Sequence, residues 1–162
     1  MVREPRSKFM QLRKATTMNT IEHRAIMILV FVMVAFNTLF LSANGLFMLV
    51  APEPWYNLVP GVTDTGSFNQ HFIRDIGIIQ LFIGVAFGIG MWKPARRVEL
   101  WGAATLWLIA HALFHVWEVA VGICSPSVLV RDFPAVSMPA LMGIALTLWA
   151  WSMPRIARAA NV

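Results

Sequence analysis

The sequence predicts an all-α membrane protein, a four-transmembrane-helix bundle with both termini on the cytoplasmic side. Three observations lead there. Apolar residues make up 58% of the 162 positions and charged residues 13%, about half the ~25% charged share of soluble proteins. The charges fall in a few short stretches, leaving uncharged runs long enough to cross a bilayer. Eleven of the thirteen Lys and Arg residues lie on one side of those runs.

The first span is expected over 25–50, after a basic N-terminal segment, 1–24. Asn37 and Asn44 interrupt it seven residues apart, on one helical face, and Pro52 and Pro54 end it. Met27, Met33 and Met48 do not share a face and read as flexible apolar packing. The first apolar run exceeds the h-region of a signal peptide, so an uncleaved span is expected. A polar loop rich in Pro, Gly and Asn leads to the second span, 68–92, where Ser67 and Gln70 fit a capping box. Gly77, Gly84 and Gly88 line one face of that helix, and small residues at this spacing let helices approach closely. The short turn through Pro94 makes the second and third spans (99–122) a tight antiparallel hairpin. After Pro126 and Pro134 the fourth span covers 135–153. The chain is thus one membrane domain, 1–162.

Orientation follows from charge. Arg3, Arg6, Lys8, Arg13, Lys14 and Arg24 precede the first span, Lys93, Arg96 and Arg97 sit between the second and third, and Arg155 and Arg158 follow the fourth. Only Arg74 and Arg131 fall in the alternate segments, a positive-inside pattern. A bacterial cytoplasmic (inner) membrane is the expected location. The net charge of +5 is explained by this placement and by anionic lipid at the N-terminus, and nucleic acid is not an expected partner. Trp92, Trp101, Trp149 and Trp151 mark the inner interface, and Trp55, Tyr56 and Trp117 the outer one. Cys124 is the single cysteine, so no internal disulfide or CxxC pair exists.

Polar residues inside a bilayer are costly, and each needs a reason. His111, His115 and Glu118 in the third span fall within an arc of about 60° at 100° per residue. His71, Arg74 and Asp75 open the second span at the same spacings. Asp75 lies twenty residues before position 95 and His115 twenty after it, so at about 1.5 Å per residue they share a depth. Glu118 comes level with the stretch between His71 and Arg74, and His111 lies one turn deeper. Asn44 falls in the same outer half. A convergent site of His71, Arg74, Asp75, His111, His115, Glu118 and Asn44 is expected, with Asp75 facing His115.

Three chemistries and one bland alternative fit these residues. His71, Asp75, His111, His115 and Glu118 can supply metal ligands, since histidines at i and i+4 reach one ion and a carboxylate adds another ligand. A haem held by an axial histidine is a second option. A quinone-like lipophilic molecule is a third, bound by His71, His111, His115, Arg74 and Asn44, with His115, Asp75 and Glu118 as candidate acid–base groups. A histidine-rich di-iron hydroxylase is excluded, because there are four histidines and His23 is cytoplasmic. In the bland alternative the cluster is hydrogen-bond glue between helices. The protein is then an accessory or assembly subunit of a larger membrane complex, or a homo-oligomer.

The strings Pro60-Gly61-Val62, Thr65-Gly66, Phe68 through Gly77, and His111 through Val116 resemble a pattern in uncharacterised bacterial four-helix membrane proteins. The layout over 26–151 is similar to the DoxX-like group: four spans, a long first outer loop and an arginine opening the second span. Some DoxX-type proteins are small subunits of quinone-linked redox enzymes, so the resemblance implies a redox or quinone setting. A likeness to styrene oxide isomerase is architectural alone. That small four-span protein has a haem-ligating histidine at a position comparable to His71, which keeps haem among the ligands.

Overall fold

Backbone N–H and C=O groups in hydrocarbon must be satisfied within their own segment, which the α-helix achieves. The computed structural model describes the backbone of residues 5–153 and the side chains of residues 20–153, and no strand occurs among them. Arg3, Arg155 and Arg158, and the side chains of Arg6, Lys8, Arg13 and Lys14, lie outside the described residues. Six α-helices follow in order: α1 Pro5–Val50, α2 Pro52–Leu58, α3 Gln70–Trp92, α4 Arg97–Ala120, α5 Ser127–Asp132 and α6 Met138–Ser152. Four segments are long and apolar enough to cross a membrane: Thr20–Val50, Gln70–Trp92, Pro94–Ala120 and Ser127–Ser152.

The chain divides into two units at Val32/Met33. The first is the leading part of α1, whose side chains from Thr20 to Val32 are exposed except for half-buried Val30. The second contains everything from Met33 onward. Its outward-facing side chains include Phe72 and Phe82 on α3, Leu106 and Leu113 on α4, and Leu141 and Leu148 on α6, each more than half exposed. Apolar exteriors of this extent belong in lipid, and the protein is a multi-pass membrane protein.

Two boundaries differ from expectation for identifiable reasons. α3 is capped by Asn69, whose side-chain oxygen accepts the Phe72 backbone N–H at 3.2 Å. That makes Gln70 the first helical residue and leaves no Ser67 capping box. The fourth span begins near 127 because Pro134 does not break the chain's helical course. Residues Phe133–Ser137 widen into a π-helical turn, with the Met138 N–H reaching back to the Phe133 carbonyl. The wider turn absorbs the proline, whose missing N–H would break a regular α-ladder.

Small residues and a few buried polar groups set the packing. Gly45 of α1 meets Gly77 and Leu81 of α3 backbone to backbone: a Cβ built on Gly45 would lie 2.6 Å from the Gly77 carbonyl oxygen and 2.7 Å from the Leu81 nitrogen. Further along, Gly84 meets the backbone of Ser42 and Thr38 in the same way, and Gly88 meets the Thr38 side chain, with a built Cβ 3.1 Å from its Cγ2. Fully buried Asn37 donates to the Pro139 carbonyl at 3.2 Å, joining α1 to α6. Thr105 and Thr147 share a 3.2 Å hydrogen bond between α4 and α6.

Trp101 is 1% exposed, so it is a core residue and not an interface anchor. Its indole N–H donates to the Phe87 carbonyl at 3.0 Å, joining α4 to α3. Arg97 lies 5.5 Å from the centres of both Trp101 and Trp149 and donates to the Gly90 and Met91 carbonyls at 3.0 and 3.2 Å. Cation–π contact and neutralisation of the α3 C-terminus act together there. Trp92 and Trp151, 72% and 69% exposed, are the tryptophans at this end with the exposure of a membrane-interface belt.

Gly45→Val should lower the stability of the detergent-purified protein by about 1–3 kcal/mol, the usual cost of overpacking. Thermal unfolding checks this against Gly102→Ala. The added methyl group there meets only Thr147 Cγ2 at 3.7 Å, so the midpoint should not fall.

Candidate functional site

The buried stripe of α4 is Trp101, Ala104, Thr105 and Leu108. Continued at helical spacing, the same stripe carries His111, His115 and Glu118, and these are half-buried. The packed helices therefore close around α4 in its N-terminal half and leave its C-terminal half partly open. Polar groups at that depth meet neither bulk water nor a full protein shell, which is the setting of a binding site or an interface.

A chain of contacts from three segments defines the site. Trp107 stacks on His111 with ring centres 4.9 Å apart, and His111 meets His115 edge to face at 4.8 Å. His115 Nδ1 lies 3.2 Å from Asp132 Oδ2, with 21% and 16% of the two side chains exposed. The nitrogen is buried and forms no aligned hydrogen bond, so the contact is a bent ion–dipole approach. Arg131 Nε donates to Asp132 Oδ1 at 2.8 Å, and Arg131 Nη1 donates to Asp64 Oδ2 at 3.2 Å. Gly61 sits directly beneath the guanidinium, where any Cβ would collide with it, and has φ +82°. Only glycine satisfies both conditions.

Local sequence explains the placement. Asp132 is the last residue of α5 and immediately precedes the π-helical turn. Such turns re-aim side chains and recur at functional sites. The loop between α2 and α3 is anchored by Tyr56, whose hydroxyl donates to the Gly66 carbonyl at 2.8 Å. That anchor brings Asp64, in a 3-10 turn at Val62–Thr65, within reach of Arg131.

The expected residues are distributed differently. His111 and His115 adjoin, as one stripe. Asp75 pairs instead with His71 of its own helix at 3.3 Å, with the two side chains 54% and 88% exposed. Counting residues gives depth but not azimuth. Asp75 is two residues from buried Ile73 and two from buried Gly77, about 200° around the helix from either, so it points away from the packed face. Arg74 donates to the Leu49 carbonyl at 3.2 Å and pairs with neither Asp75 nor Glu118. Asn44 belongs to a second network, accepting from the Trp55 indole and donating to Gln80, both at 2.8 Å. Glu118 lies in the last turn of α4, its backbone carbonyl accepting from the Ile123 and Cys124 N–H groups at 2.9 and 3.2 Å.

Among the described residues no three His, Cys, Asp or Glu side chains gather as a metal-ligand set. The grouping of His71, Asp75, His111, His115 and Glu118 is thus not assembled around one point. Asp132, Arg131, Asp64 and Trp107 are the members that sequence reasoning missed. An acidic residue joined to the lone outer cation of its loop, Arg131-Asp132 ahead of an apolar run, was the available signal. Comparison of the chain with protein-family models, with curated proteins and with solved structures finds no match.

The arrangement has a clear chemical capacity. Asp132 uses one oxygen on Arg131 and turns the other to His115, which orients the imidazole. Nδ1 of that ring is buried, while Nε2 takes no partner among the described residues and is not one of the buried unpartnered atoms. An imidazole so held can exchange a hydrogen bond or a proton with a neighbouring molecule.

Breaking the bridge at its two ends should have unequal effects. Asp64 is 71% exposed, and Asp64→Asn should change stability by less than about 1 kcal/mol, as for surface pairs. Arg131→Met removes the charged partner of the less exposed Asp132 and should cost about 1.5–3 kcal/mol. Paired thermal melts in one detergent compare the two.

Proposed function

We propose that this integral membrane protein holds a quinone-like lipophilic molecule in the outer half of its four-span bundle, as part of a redox system. The observation that carries the reading is the His115–Asp132 pair. An oriented imidazole lies on a half-buried helix stripe, next to the ring of His111, on which Trp107 stacks. A flat, hydrogen-bonding head group with an apolar tail suits that combination better than a metal ion does, because no set of three His, Cys, Asp or Glu ligands converges among the described residues. Likeness in layout to the DoxX-like group, some of whose members serve quinone-linked enzymes, favours the same setting.

The orientation proposed with it puts both termini and the 93–97 turn in the cytoplasm of a bacterial inner membrane, the second and third spans forming a hairpin. The basic N-terminus then meets anionic lipid. Cys124, half-buried after α4 and without a disulfide, is the reporter. In intact spheroplasts a membrane-impermeant maleimide should label it, and labelling only after lysis would reverse the orientation.

Solvent extraction of the purified protein, followed by chromatography and absorption spectroscopy, tests the ligand. A lipophilic redox-active compound should be recovered in near-stoichiometric amount from the wild type and fall at least about tenfold in His115→Ala. A haem band or a stoichiometric metal in place of that compound would overturn the quinone reading.

A second reading is favoured by the Asp64–Arg131–Asp132 bridge, which ties a loop to the helices as a structural clamp would. The protein is then an accessory or assembly subunit. A larger partner co-purifying with the wild type, with no extractable ligand, would establish that role.

A further inference from the structure

The tautomer of His115 narrows what the site accepts. Asp132 is bridged by Arg131 through Oδ1 at 2.8 Å and presents Oδ2 to His115 Nδ1 at 3.2 Å. A carboxylate is an acceptor only, whereas a neutral imidazole carries one N–H and one lone pair. With the lone pair on Nδ1, two lone pairs would oppose each other at 3.2 Å on a buried atom, unscreened by water. With the hydrogen on Nδ1 the contact is attractive, even though bent. The lone pair is then at Nε2, the ring nitrogen without a partner among the described residues, and a molecule that meets it there must bring the hydrogen.

We infer that the occupant presents a hydroxyl hydrogen to His115 Nε2, making it a lipophilic phenol or hydroquinone in preference to the matching carbonyl compound. The inference rests on the small-molecule reading above and sharpens it from a class of molecule to one oxidation state of that class. The surroundings fit an aromatic head group. Trp107 and His111 form a stack on one side, and the Phe114–Trp117 stack (5.6 Å between ring centres) lies on the same half of α4. Phe114 and Trp117 are about half exposed, at 51% and 50%.

Equilibrium dialysis decides it. The probes are 4-decylphenol, its methyl ether and decyl-1,4-benzoquinone. Full-length protein in lipid nanodiscs is measured at pH 8, where an ordinary imidazole is neutral, with empty nanodiscs subtracted. The phenol should bind at least about tenfold more tightly than the ether or the quinone. In Asp132→Asn the amide can donate to Nδ1 and place the hydrogen on Nε2, so the preference should vanish or pass to the quinone. His115→Phe keeps the ring but removes both nitrogens, and phenol and ether should then bind alike. Equal binding of the three probes to the wild type, or tighter binding of the quinone, overturns the hydroxyl inference and leaves the small-molecule reading standing. A phenol preference that survives in His115→Phe overturns the assignment to this residue. Binding of none of the probes above empty nanodiscs overturns both the inference and the small-molecule reading.

Discussion

Asn37, Trp101, Thr105 and Arg97 each reach across to another helix, and each does so because the interior offers no water. A polar side chain in the packed region must find a protein partner or remain unsatisfied at a cost of about 1–3 kcal/mol. Asn37 finds the Pro139 carbonyl, Trp101 finds that of Phe87, and Arg97 finds the last carbonyls of α3. These bonds select one helix arrangement from the many that apolar surfaces alone would tolerate. Glycines complete the selection, since Gly45 and Gly77 allow α1 and α3 to touch through their backbones.

The same constraint draws attention to the end of α4. In its N-terminal half every polar group on the packed face is satisfied by a neighbour. Beyond Leu108 the stripe carries two histidines that the helices only half cover. Asp132, bridged by Arg131, meets His115 from one side through Nδ1.

Much of the fold was legible in the sequence. Apolar run length, the prolines near span ends and the segregation of Lys and Arg identify four spans, because a bilayer imposes length and charge rules that act on the chain locally. The pairing of small residues with a neighbouring helix was legible for Gly77, Gly84 and Gly88 on the same ground. The burial of Trp101 was not. Its position among interfacial tryptophans gave no indication that Arg97 and Trp149 would cover it.

The sequence by itself determined that histidines 111 and 115 share a stripe, since helical period depends on nothing beyond the chain. Only the tertiary structure decided which carboxylate meets His115. The answer is Asp132 and not Asp75, because rotation about a helix axis is set by the packing of Ile73 and Gly77 on one side of α3. That packing turns Asp75 outward to His71. Asp132 arrives through a π-helical turn and a loop bridge of Arg131 and Asp64, whose geometry no spacing rule contains.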